Sequence, residues 1–169
     1  MFKIGQRVVY GSHGVCDIVD IDTKIIDKKK VEYFVLTPLE QPGARFYIPV
    51  GNPVALEKMR PLLTWDELES LLHSEEAARD TWIPDENRRK LIYRELISRG
   101  SPAELICMIR NLHRHRADQL AAGRKFHLCD ENFLRDAEQL IRSEFSLVLG
   151  IEKNCVGPYI EEVFEKGHC

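Results

Sequence analysis

Residues 79–94 read RDTWIPDENRRKLIYR, and the change of character across them decides the fold. Before them lie short runs of β-formers punctuated by glycine and proline. After them, apolar residues recur at helical spacing almost to the end. Inside the stretch, Trp82 stands ahead of Pro84, and Asp85 is placed to cap a helix that carries Arg88, Arg89, Lys90 and Arg94. An apolar wedge beside cations of this kind is the combination that suits contact with DNA.

Upstream, Val8-Val9-Tyr10 and Val15 to Ile21 read as two strands joined by the turn Gly11-Ser12-His13-Gly14. Val15, Val19 and Ile21 share one face, with Asp17 spoiling the alternation. Asp27 to Lys30 form a polar hairpin tip ahead of Val31 to Leu36, a run dense in β-branched and aromatic residues. Pro42-Gly43 then turns the chain into a strand over Arg45 to Val50, which Pro49 assigns to an edge. Strands at about ten-residue spacing, with no room for helices between them, predict a small antiparallel β-barrel or half-barrel of SH3- or Tudor-like type over residues 1–62.

Downstream, Thr64-Trp65-Asp66-Glu67 is a capping box that starts a helix with Leu68, Leu71 and Leu72 on one face. The helix capped by Asp85 has Leu91, Ile92, Leu96 and Ile97 as its apolar stripe and closes at Arg99-Gly100. Ser101-Pro102-Ala103-Glu104 joins a second capping box to a proline at the first helical position, and the core face that follows is Leu105, Ile109 and Leu112. Ala117 to Cys129 reads as a polar connection. Asp130 then precedes the longest helix, in which Phe133, Leu134, Ala137, Leu140, Ile141, Phe145 and Val148 recur as far as Gly150. Gly157-Pro158 opens a short last helix through Phe164. The expected class is α+β: a β-barrel over 1–62 followed by an all-helical bundle over 63–169.

Composition narrows the function. A chain 44% hydrophobic and 30% charged is expected to fold rather than form a disordered tail. No apolar run approaches the roughly 18 residues that span a bilayer, and Met1-Phe2-Lys3 leads straight into a strand pattern, so a cytoplasmic location is expected with no membrane partner. The net charge of -3 is unevenly spread: residues 79–125 hold eleven Lys and Arg against six Asp and Glu, whereas 126–169 hold four against nine. It is the local basic centre, and not the net charge, that would steer a polyanion.

Cys16, Cys107, Cys129, Cys155 and Cys169 are odd in number and widely spaced, which predicts free thiols rather than a disulfide framework or zinc ribbon. His13 and Cys16 lack a third orienting group, so no nucleophilic site and no enzymatic activity are expected. His113 and His115 are two apart on a helix and point to different sides; with His127 and Cys129 they make a poor ligand set, and no metal is expected. There is no phosphate loop or dinucleotide fingerprint, hence no cofactor. His168 and Cys169 read as a frayed end.

The motif Phe2-Lys3-Ile4-Gly5, Val8-Val9-Tyr10, His13-Gly14-Val15 and Ile18, continued by Glu32 to Leu36 and Ile48-Pro49-Val50, resembles the CarD/CdnL family of bacterial transcription regulators. In that family the amino-terminal module is shared with the transcription-repair coupling factor. Trp82 with the basic residues after it, the S-P-A-E helix start and Ala137-x-x-Leu140 fit the same pattern. The resemblance implies a regulator, expected to be a monomer, that docks on the RNA polymerase β subunit and stabilises the open complex. Polymerase contact would then fall to Lys24, Arg45, Tyr47, Ile48 and Pro49. Promoter DNA, near the upstream edge of the bubble, would be met by Trp82 as a minor-groove wedge with Arg88, Arg89, Lys90 and Arg94 on phosphates. Arg110 and Arg114 are further candidates.

Magnitudes set the terms of such binding. Burying an indole gains about 4–6 kcal/mol gross, while unstacking a base step costs a few kcal/mol, so the wedge nearly balances its own cost. About three phosphate contacts give a salt slope of only about -2.7. Isolated DNA should bind weakly, and polymerase must supply the second anchor. A wedge must also be partly exposed in the free protein, which predicts little loss of stability on its removal. The rival expectation is a protein-binding adaptor whose helices merely extend the surface.

Overall fold

Five strands form one antiparallel sheet in the order β4-β3-β2-β1-β5, with β1 at Arg7–Tyr10, β2 at Val15–Ile26, β3 at Lys29–Pro38, β4 at Phe46–Pro49 and β5 at Met59–Pro61. The sheet is open: β4 and β5 are its edges, so the expected barrel is not closed. The computed structural model describes residues 1–166, which fall into two units, Met1–Leu62 and one that begins at Leu63. His168 and Cys169 lie outside the described residues.

The β2–β3 hairpin turns on Asp27 and Lys28, both with positive φ (50° and 66°), as a two-residue turn matched to strand twist requires. Lys28 supplies this conformation where glycine is usual. Along β2 the register slips between Ile18 and Asp20, a bulge that reverses the inside–outside alternation. Val15, Val19 and Ile21 therefore do not share a buried face. Val15 is buried, Val19 and Ile21 are exposed, and Cys16 and Ile18 enter the core. There they join Val8, Phe34, Leu36, Ile48 and Met59, each large apolar side chain contributing about 1.5–3 kcal/mol by leaving water. Two further elements of this unit escaped the sequence reading. Helix α1 (Pro53–Glu57) starts where the Asn52 side chain accepts from the Val54 and Ala55 amides, and β5 pairs with β1.

The second unit holds α2 (Trp65–Leu72), α3 (Glu75–Ala78), α4 (Glu86–Arg99), α5 (Pro102–Ala121), α6 (Leu128–Leu149) and α7 (Lys153–Lys166). The Thr64 box forms in full, with Glu67 returning to the Thr64 amide at 2.8 Å. The Ser101 box does not, since Ser101 makes no side-chain cap bond and Pro102 alone marks the start. Helix α5 runs through Ala117 to Ala121, which shortens the expected connection. Helix α7 begins at Lys153, with Pro158 inside it rather than at its head.

Two apolar stripes differ from expectation in a way that matters for function. On α4, Leu91 is 66% exposed while Arg89 and Tyr93 are buried, Tyr93 meeting Phe133 edge-to-face at 5.7 Å. On α6, Asp130 is not a cap. It lies inside the helix and is 1% exposed, in line with Phe133, Leu134 and Ala137 of the core.

Candidate functional site

Residues 79–85 form no helix or strand, so their backbone polar groups need partners from elsewhere. Helix α5 supplies them from one stripe. Asn111, buried, donates to the Arg79 carbonyl at 3.1 Å and to the Cys107 carbonyl at 2.8 Å, while its Oδ1 accepts from the Thr81 amide at 3.3 Å. The Cys107 thiol donates to the same Arg79 carbonyl at 3.2 Å. Asp80 Oδ1 accepts from the Trp82 amide at 3.2 Å, and its other oxygen meets Arg114 at 3.4 Å. Beyond Trp82, Arg89 Nη1 donates to the Ile83 carbonyl at 2.9 Å.

Arg89 is the main correction to the expected phosphate contacts. Its Nε and Nη2 make a two-pronged pair with Asp130 at 2.9 and 2.8 Å, both side chains being at most 4% exposed. Burial works to lower its pKa, but the bonds and charge of Asp130 more than offset that and raise it. Such a guanidinium cannot reach a phosphate. It braces the Trp82 segment instead, with its central carbon 4.6 Å from the centre of the indole ring. The imidazole of His115 also covers the indole, stacked at 3.8 Å and 19°. Burial and the nearby Arg89 charge lower the His115 pKa, so the stacked ring is neutral at physiological pH. Trp82 is thus half-buried and packed against the helical core.

The other cations divide. Lys90 is tied to Glu86 at 2.8 Å, a bond that raises its pKa. Arg88 and Arg94 are exposed and make no ion pair among the described residues. Arg110 lies 3.9 Å from the Phe164 ring and donates to the Ala77 carbonyl. His113 does not join His115: its Nδ1 accepts from Arg116 at 3.0 Å, so Nε2 carries the proton and donates to Glu138 at 2.6 Å. Among the described residues no group of three or more His, Cys, Asp or Glu is placed to hold a metal. No helix among them is long and apolar enough to cross a membrane.

In the first unit the candidate contacts gather along β4. The Val50 amide bonds to the Glu32 carbonyl at 3.0 Å, and the register pairs Ile48 with Phe34 and Tyr47 with Val35. By antiparallel alternation the Tyr47 amide and carbonyl then point away from β3, to the open edge. Pro49 has the same orientation, and its missing N–H costs the sheet nothing. Lys24 Nζ lies 4.1 Å from the Tyr47 ring and 5.8 Å from the Tyr33 ring, and Arg45 is exposed just before β4. Ile48 is corrected: its side chain is in the core and cannot touch a partner. Cys16 is buried and donates to the Gly14 carbonyl; burial, then Asp17, push its thiol up to about 12, so it stays protonated. His13 is stacked on Tyr10 and meets Phe46 at a tilt of 33°.

This sheet and its turns match the family model described as CarD-like/TRCF RID domain over residues 2–62. The first unit is thus similar to the CarD-like/TRCF RID domains over nearly its whole length. No curated protein matches the chain. The RID domain points to a family of RNA polymerase-interacting transcription factors, and its core residues Ile18, Phe34 and Leu36 belong to the motif that carries the resemblance. Asn111, Cys107, His115 and Asp130, which shape the Trp82 segment, were not singled out for that role by sequence. The signal was present in the i, i+4, i+8 spacing of Cys107, Asn111 and His115, a polar stripe along a helix whose neighbouring stripe is core.

Proposed function

We propose that the chain is a cytoplasmic, nucleoid-associated, monomeric and non-enzymatic transcription regulator. Its RID domain docks on the RNA polymerase β subunit, and its helical unit meets promoter DNA at the upstream edge of the bubble to stabilise the open complex. The RID match carries the polymerase half of this reading. The open β4 edge supports docking by strand addition, in which main-chain bonds give affinity and side chains such as Lys24, Arg45 and Tyr47 give selectivity. Tyr47→Pro removes the outward amide without touching the β3 ladder, whereas Tyr47→Ala removes only the ring. Strand addition predicts that full-length Tyr47→Pro loses capture of the β subunit and Tyr47→Ala largely keeps it; equal losses would assign the contact to the side chain.

For DNA, Arg88 and Arg94 are exposed cations without an ion pair among the described residues, on the helix α4 that follows the half-buried Trp82. With Arg89 buried and Lys90 paired, two phosphate contacts give a salt slope of about -1.8. Replacing Arg88 and Arg94 by Glu should weaken binding of the polymerase–promoter complex for all promoters alike and flatten its salt dependence. A loss confined to one promoter would indicate base readout. The burial of Arg89 favours the adaptor as second reading, because it thins the basic face. In that case neither the double charge reversal nor loss of Trp82 changes open-complex lifetime, while polymerase binding persists.

A further inference from the structure

We infer that His115 is a positioning residue for Trp82, with its imidazole setting the direction in which the indole is presented. The inference rests on the reading of Trp82 as a DNA contact. A tryptophan on an irregular segment would otherwise be free to turn about two side-chain bonds, and a wedge that must enter a base step from one direction gains from being fixed beforehand. Helix α5 does the fixing with residues one turn apart. Cys107 and Asn111 hold the Arg79 carbonyl, Asn111 holds the Thr81 amide, and His115 lies under the Trp82 ring at 3.8 Å and 19°. Backbone and ring are thereby referred to one helix face. His115 forms no ion pair among the described residues and belongs to no metal cluster, so the indole is the partner that the structure gives its ring, with Phe126 next at 6.4 Å.

The test uses full-length protein carrying Trp65→Phe, which leaves Trp82 as the sole tryptophan. His115→Ala should raise acrylamide quenching of Trp82 fluorescence and shorten open-complex lifetime by about two- to tenfold, the factor an aromatic pair supplies. His115→Phe keeps a flat ring at that place and should restore both to near the parent values. Melting curves of each variant set the assay temperature where all are folded. An unchanged lifetime in His115→Ala, where Trp82→Ala shortens it, overturns the inference and spares the DNA reading. If His115→Phe is as impaired as His115→Ala, stacking is not what His115 contributes, and the inference also falls. An unchanged lifetime in Trp82→Ala itself removes the DNA reading and this inference together.

Discussion

Arg89→Met should be among the most destabilising single changes in the chain, costing about 3–5 kcal/mol in urea denaturation, because it leaves the Asp130 carboxylate buried without its cation. Asp130 is 1% exposed, and both its oxygens are taken by Arg89. The same change frees the Ile83 carbonyl on the far side of Trp82 and removes the guanidinium that lies over the indole. Against a typical stability of about 5–15 kcal/mol the loss is large but leaves most molecules folded. The double variant Arg89→Met, Asp130→Leu should recover much of it, since replacing both members of a buried pair by apolar groups is often near neutral. A single variant with wild-type stability would mean that water reaches the pair and that Arg89 is a surface cation after all.

This pair also marks how far the sequence could be read. Features set by neighbours in the chain were legible: the Thr64 box, the Asp85 cap, the Gly100 and Gly150 helix ends, and the Asp27–Lys30 hairpin tip all depend on a few adjacent residues. Arg89 and Asp130 depend on each other across 41 positions, and each imitates a local role, a basic face in one case and a helix cap in the other. A trace of the truth was nonetheless present. Arg89, Tyr93 and Leu96 lie on one side of α4, and Asp130, Phe133, Leu134 and Ala137 on one side of α6, so the apolar stripe of α4 carries a cation where that of α6 begins with an acid. Charges embedded in two such stripes call for a buried partner. The β2 bulge was hidden for a different reason, because one inserted residue turns a clean period of two into noise. Strand β5 and helices α1 and α3 were missed because three to five residues carry too little periodicity to register.

For the candidate site, the residue types were readable and their division of labour was not. Arg88 and Arg89 are adjacent and identical in chemistry, yet a turn of about 100° around α4 sends one to solvent and the other into the core. Of the expected phosphate set, Arg88 and Arg94 are left as open cations. The basic centre seen in composition is therefore in part structural: Arg89 is neutralised by Asp130, Lys90 by Glu86, and Arg114 faces Asp80. What remains for a polyanion is narrow, which is why the helical unit is expected to contribute to a promoter complex already anchored by polymerase and to bind isolated DNA poorly.

Trp82→Ala is the change that separates regulator from adaptor, and its expected effect is now twofold. The indole is partly exposed, as a wedge requires, but it is also stacked on His115, covered by Arg89 and packed against the helical core. The expectation of an unchanged fold stability is therefore replaced by a loss of about 1–3 kcal/mol, below the cost of about 3–5 kcal/mol for truncating a fully buried aromatic residue. That loss is too small to depopulate the native state, so any effect on transcription complexes measured well below the melting temperature reports the missing ring. On the proposed reading polymerase binding should survive, since the first unit, which carries the RID match, is intact. Stacking of an indole on an opened base is worth about 1–3 kcal/mol, so the open-complex half-life, followed with polymerase and a fluorescent promoter, should fall by roughly five- to 150-fold, bounded below by its value without the protein. Trp82→Phe, which keeps a ring over His115, should fall between the two. If the half-life of a folded, polymerase-bound Trp82→Ala complex equals that of the parent, the indole is a packing residue of the helical unit and the chain is an adaptor.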